Sequence, residues 1–114
     1  MKSSANTSTE SEIFTRYYEA GHRAFQGHFP NNPILPGVFY FREIRSLLPS
    51  AMTAGSYVIK QAKFIKMVGP DTQLFYQIGQ RPVADEDKTE VTAIVKNAAE
   101  ETVAKIQFIV KAEG

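Results

Sequence analysis

"GVFYFREIRSLL", Gly37 to Leu48, is the stretch on which the fold turns. It reads as a helix. Pro36 and Gly37 punctuate its start, and Pro49 lies just past its end. On a helical wheel Tyr40, Phe41, Ile44, Leu47 and Leu48 share one face. Arg42, Glu43, Arg45 and Ser46 fall on the other side, with Val38 and Phe39 among them. A wide apolar face, with apolar residues intruding on the polar one, predicts a helix wrapped on most sides.

Outward from that helix the chain reads as strand. Upstream, "IFTRYYEAG" is rich in aromatic and β-branched residues and is broken by Gly21. Downstream of Gly55, "SYVIKQAKFIKMV" is a long strand, "GPD" a turn and "TQLFYQIGQRPV" the next strand. A loop at "ADEDK" leads to "TEVTAIVKN" and "ETVAKIQFIVKA", a hairpin around "AAE". In the final strand Ala104, Ile106, Phe108 and Val110 alternate with Lys105, Gln107 and Lys111, the pattern of a sheet buried on one face. One strand, one helix and about four strands with short connections predict an α+β fold, an antiparallel sheet packed on one long helix. Such a sheet has edges to protect, and edge-to-edge dimerisation is one way. Residues 1–11 are polar and Ser/Thr-rich, which predicts a disordered tail, and 12–114 form a single domain.

Composition excludes several functions. The 114 residues carry a net charge of +1, so nothing draws the chain as a whole to nucleic acid or an anionic membrane. With no cysteine, disulfides, thiolate catalysis and thiolate metal sites are out. The two histidines, His22 and His28, have no ligand-like spacing to carboxylates, so no metal site is expected. No run approaches a membrane span and the N-terminus lacks a signal-peptide core, which makes the cytoplasm the expected location.

The approach to the helix carries the chemistry. "FQGHFPNNPILPGVFYFREI", Phe25 to Ile44, sets His28 in a run of prolines, each fixing its own φ and restricting the residue before it. That loop delivers the chain to the first helical turn at Gly37. Free N–H groups and the positive end of the helix dipole lie there, and glycine permits close approach by a ligand. Histidine titrates near neutrality and suits a general base. A base joined by a rigid linker to an oxyanion donor suits proton abstraction beside a thioester or ketone carbonyl. The bland reading, a histidine that merely occupies a turn, stands beside it.

"GHFPNNPILPGV" resembles the signature of the hot-dog-fold 3-hydroxyacyl-[acyl carrier protein] dehydratases, G-H-F-P-x-x-P-[ILVM]-x-P-G-V. Gly27, His28, Phe29, Pro30, Pro33, Ile34, Pro36, Gly37 and Val38 match it. "KFIKMVGPDTQL" is similar to a second family segment through Lys63, Phe64, Val68, Asp71 and Leu74, with the glycine–proline order swapped. The resemblance implies one long central helix wrapped by a curved antiparallel sheet. It implies dimers or larger assemblies with active sites between subunits, and no cofactor beyond the phosphopantetheine that carries the substrate on acyl carrier protein or coenzyme A. It assigns His28 the α-proton of a 3-hydroxyacyl thioester and the Gly37 N–H the thioester carbonyl. Phe29, Pro36, Val38 and Phe39 would contact the substrate.

The family's third element is an Asp or Glu fourteen residues after the histidine. That position is Arg42, whose guanidinium cannot serve as an ordinary general acid. Glu43 follows, but one residue turns a side chain by about 100° around the helix axis. Arg42 is then an ion-pair residue, a clamp for a phosphate or carboxylate, or the mark of a non-catalytic subunit. Three functions stay open: a dehydratase producing trans-2-enoyl thioesters with Glu43 as displaced acid, an acyl-thioester hydrolase, and a half-site subunit completed by a second hot-dog chain. Lys60, Lys63, Lys66, Arg16 and Arg23 offer a basic rim for an acidic carrier protein or a merely solvated face. His22 reads as a loop residue, and Tyr17, Tyr18, Tyr57 and Tyr76 as packing.

Overall fold

A computed structural model of the chain describes residues 10–25, 35–49, 56–83 and 88–111. β1 (Glu10–Tyr18) and a short 3-10 turn (Arg23–Phe25) precede α1 (Gly37–Ser46). β2 (Ser56–Phe64), β3 (Thr72–Val83), β4 (Lys88–Asn97) and β5 (Thr102–Lys111) follow. The strands form one antiparallel sheet in the order β1-β3-β4-β5-β2. β3, β4 and β5 make a meander. The helix lies in the crossover between the two edge strands, β1 and β2. The turn between β4 and β5 is closed by the Asn97 side chain, which accepts from the Ala99 and Glu101 N–H groups, with Glu100 at φ 64.

Side chains alternate as the pattern of β5 requires. Ala104, Ile106, Phe108 and Val110 are buried, as are Val91, Ala93 and Val95 on β4 and Leu74, Tyr76 and Ile78 on β3. Tyr40 and Ile44 of α1, with Leu48 just beyond it, pack against that face, and Phe39, Phe41 and Leu47 flank them. The four-residue spacing of Tyr40, Ile44 and Leu48 puts one stripe into the core. Leu35 anchors the helix start: its side chain is buried and its N–H donates to Val68 O at 2.8 Å.

Two expectations are corrected. The helix is not long: it has 10 residues, and one side of it is open to solvent at Val38, which is 64% exposed, and at Arg42. Nor does the sheet curl around it. The sheet is open, with β1 and β2 as separate edges, and the molecule is 49 × 35 × 21 Å. A thickness of 21 Å fits one sheet and one helix layer, since packed layers sit about 10 Å apart. The physical reason is visible in β2. Its residues are exposed apart from Gln61, and among the described residues it meets α1 through the rings of Tyr57 and Phe64 rather than through a buried face.

Candidate functional site

The first turn of α1 is set by its neighbours. Pro36 occupies the N-cap in extended conformation (φ −74, ψ 151) and offers no capping side chain. The turn's leading N–H groups therefore receive no cap from the side chain of the N-cap residue. Gly37 lies under the Phe64 ring at the end of β2: a Cβ built there would stand 2.9 Å from Phe64 Cζ. Phe64 also stacks on Tyr40, with centroids 5.9 Å apart and planes at 24°. One aromatic ring thus covers both Gly37 and the residue one turn later on the same helix face.

On the solvent side Val38 and Arg42, four residues apart, form an exposed stripe. Glu43 points the other way. Its side chain is 15% exposed and accepts from Arg16 Nε of β1 at 3.1 Å. The one-residue step from Arg42 to Glu43 is a change from solvent to the helix–sheet boundary. The carboxylate nearest the motif is therefore held by a cation of the same chain.

Beneath the helix lies a group of phenols. Tyr18 and Tyr76, on neighbouring strands, share a hydrogen bond at 2.8 Å between their hydroxyls. Burial raises the pKa of both, and the Glu43 charge acts in the same direction, so both remain neutral donors. Tyr40 is buried too, and burial pushes its pKa up to about 12. Among the described residues the Tyr40 hydroxyl is a buried polar atom without a hydrogen-bond partner. His22 packs edge-on against Tyr18 and Phe39, centroids 5.2 and 5.5 Å away, which gives the loop histidine a packing role beside the helix start.

Of the anticipated site residues, the structure brings together Pro36, Gly37 and Phe39 near the helix start. It turns Val38 and Arg42 outward and Glu43 inward. His28 and Phe29 lie outside the described residues. Three of the basic residues are tied to separate carboxylates: Arg16 of β1 to Glu43, Lys60 of β2 to Glu90 at 3.2 Å, and Lys66, just after β2, to Glu101 at 3.7 Å. Tyr40 had been read only as part of the apolar face, and the Tyr18–Tyr76 pairing joins residues 58 positions apart.

The opposite face of the sheet carries a polar cluster. Glu90 on β4, 9% exposed, accepts from Lys60 Nζ and Gln107 Nε2, each at 3.2 Å, and from Arg81. Lys60 sits where the β2–β5 register slips between Ile59 and Gln61, and from that bulge it reaches Glu90. Hydrogen bonding from Lys60, then Arg81, holds the Glu90 carboxyl below its usual value, while burial acts upward. Among the described residues no group of metal-ligating side chains assembles, and no helix is long and apolar enough to cross a membrane.

Comparison with known proteins assigns the family. The model of the ApeI-like family, described as ApeI dehydratase, matches residues 4–107. The 3-hydroxyacyl-[acyl-carrier-protein] dehydratase FabZ of Lactiplantibacillus plantarum is 39% identical over 70 residues, 54% of this chain and 48% of that protein. The chain thus spans about half the length of this curated relative. Two solved structures share the fold. The (R)-hydratase from A. caviae involved in PHA biosynthesis superposes with a TM-score of 0.70 at 11% identity, covering 91% of this chain and 95% of that one. The dehydratase heterocomplex ApeI:P from Xenorhabdus doucetiae gives 0.66 at 16% identity, covering 90% and 93%. The chain belongs to the ApeI-like family, hot-dog-fold proteins related to the FabZ and ApeI dehydratases.

Proposed function

We propose that this ApeI-like chain is one half of a dehydratase site for 3-hydroxyacyl thioesters, completed by a second hot-dog chain. The substrate rides on acyl carrier protein or coenzyme A. His28 takes a proton from C2, the Gly37 N–H hydrogen-bonds the thioester oxygen, and Pro36, Val38 and Phe39 border the acyl group, with Phe29 beside the base. The second chain supplies a carboxylic acid that protonates the departing 3-hydroxyl. The C3–O bond breaks, the C2–C3 double bond forms, and a trans-2-enoyl thioester and water leave.

The observation that carries this reading is the split at residues 42 and 43. Where the dehydratase motif calls for an acid, Arg42 stands in solvent, and Glu43 is drawn inward onto Arg16. The solvent-facing stripe of this helix therefore offers a cation. Two further facts support it. β2 is an open edge with Tyr57, Val58, Ile59 and Phe64 exposed, suited to pairing with another sheet edge. The X. doucetiae relative of the same fold is a heterocomplex.

The test is an assay of enoyl thioester formation from a 3-hydroxyacyl thioester. The chain is assayed alone, and then as the assembly co-purified from its native host. Turnover confined to the mixed assembly and lost with His28→Ala supports the reading. Full turnover by the chain alone, lost with Glu43→Gln, would replace it with a self-sufficient dehydratase. Turnover of the mixed assembly unaffected by His28→Ala would sink it.

A further inference from the structure

We propose that the Tyr40 hydroxyl is a substrate-binding group that hydrogen-bonds the 3-oxygen of the acyl chain. The proposal rests on the thioester reading above and adds a residue to it. Buried hydroxyls in folded proteins are nearly always paired, because an unpaired one forfeits its hydrogen bonds to water. Tyr40 is 2% exposed, and its hydroxyl has no partner among the described residues. Phenylalanine would fill the same space without that cost. A cost retained in the free protein fits a group whose partner arrives with the ligand.

The position of Tyr40 fits such a ligand. It lies one turn after Gly37 on the same helix face, and side chains on a helix lean back toward its N-terminus. Both residues touch the Phe64 ring, which bounds this corner of the molecule. In a 3-hydroxyacyl thioester the 3-oxygen is separated from the carbonyl carbon by two carbons. A carbonyl held at the Gly37 N–H therefore leaves that oxygen within about one helical turn of it, the separation of Gly37 and Tyr40 along the helix. Tyr40 stays protonated there, since burial raises its pKa to about 12, so it can donate. The neighbouring phenols differ in this respect, because the Tyr18 and Tyr76 hydroxyls are paired with each other while that of Tyr40 is not.

The experiment compares wild type with Tyr40→Phe, a change that keeps the ring on Phe64. Binding is measured by calorimetry for two unreactive amide analogues of the pantetheine thioester, one 3-hydroxyacyl and one 3-deoxy of equal length. Thermal unfolding is recorded beside it. The expected result is about tenfold weaker binding of the 3-hydroxy analogue by the variant, as for loss of one hydrogen bond. Binding of the deoxy analogue should be unchanged, and the variant's Tm should be higher. Equal affinity of the two proteins for the 3-hydroxy analogue overturns the assignment. So does an equal loss for both analogues, or a lower Tm, which would reveal a partner such as a buried water in the free protein. Wild type binding neither analogue would instead overturn the thioester reading, and this proposal with it.

Discussion

Gly37→Ala sets two known effects against each other and separates stability from function. The new Cβ would stand 2.9 Å from Phe64 Cζ, 3.0 Å from Cε2 and 3.3 Å from Cε1. Carbon atoms prefer separations of about 3.5 Å or more, so the ring must move by roughly half an ångström. Phe64 is 51% exposed and can swing outward, at the expense of its stacking on Tyr40. In the other direction alanine gains up to about 1 kcal/mol over glycine in a helix interior, and less at the first helical position. The net change in stability should stay within about 1 kcal/mol, at most a Tm shift of about 4–8 °C in a domain of this size. Turnover should respond differently. The methyl group and the displaced ring narrow the approach to the helix start, and a misplacement of this order costs on the order of tenfold or more in rate. The assay pairs thermal unfolding with kcat/KM of the mixed assembly. Turnover unchanged at an unchanged Tm would refute the idea that a ligand comes close to Gly37. A Tm drop of more than about 15 °C would refute the mobility assigned to Phe64.

Arg42→Glu restores a carboxylate on the exposed helix stripe and should give the chain, assayed alone, at least about 100-fold more enoyl formation than wild type. No gain in a folded variant would show that the solvent side of the helix does not face an active site. Glu90 makes stability depend on pH. Its carboxyl is held below the ordinary value of 4.5, so its contribution is complete above that pH and fades as the pH falls through the lower folded value. Glu90→Gln should lower Tm at pH 7 and flatten the decline of Tm below pH 4.5; melting curves that shift in parallel at every pH would contradict this. Val58→Lys places a charge on a side chain 67% exposed at the β2 edge and should shift the assembly toward single chains in light scattering. An unchanged mass would mean that β2 is not the pairing edge.

The secondary structure was legible because its signals are local. Alternation in β5 and the four-residue spacing of Tyr40, Ile44 and Leu48 each lie within one segment, and both were realised. The turn at Asn97–Glu100 was legible for the same reason. The motif around His28 pointed to the dehydratase family from twelve consecutive residues, and the ApeI-like match bears out that kinship at the level of the superfamily. The Glu90 cluster left no such trace, since its four members come from four different strands.

The sequence by itself determined one short-range grammar: five strands and one helix that starts at a glycine just after a proline. Local periodicity and backbone restriction suffice for that, because each is felt within a few residues. Only the tertiary structure decided that the helix is 10 residues long and open on one side, and that the sheet stays open with β2 as an exposed edge. It also decided that Glu43 belongs to Arg16, 27 residues away, while Arg42 faces solvent. Those outcomes depend on which strand lies beside which and on what a single chain has available to cover an edge, and no stretch of sequence contains both sides of such a contact.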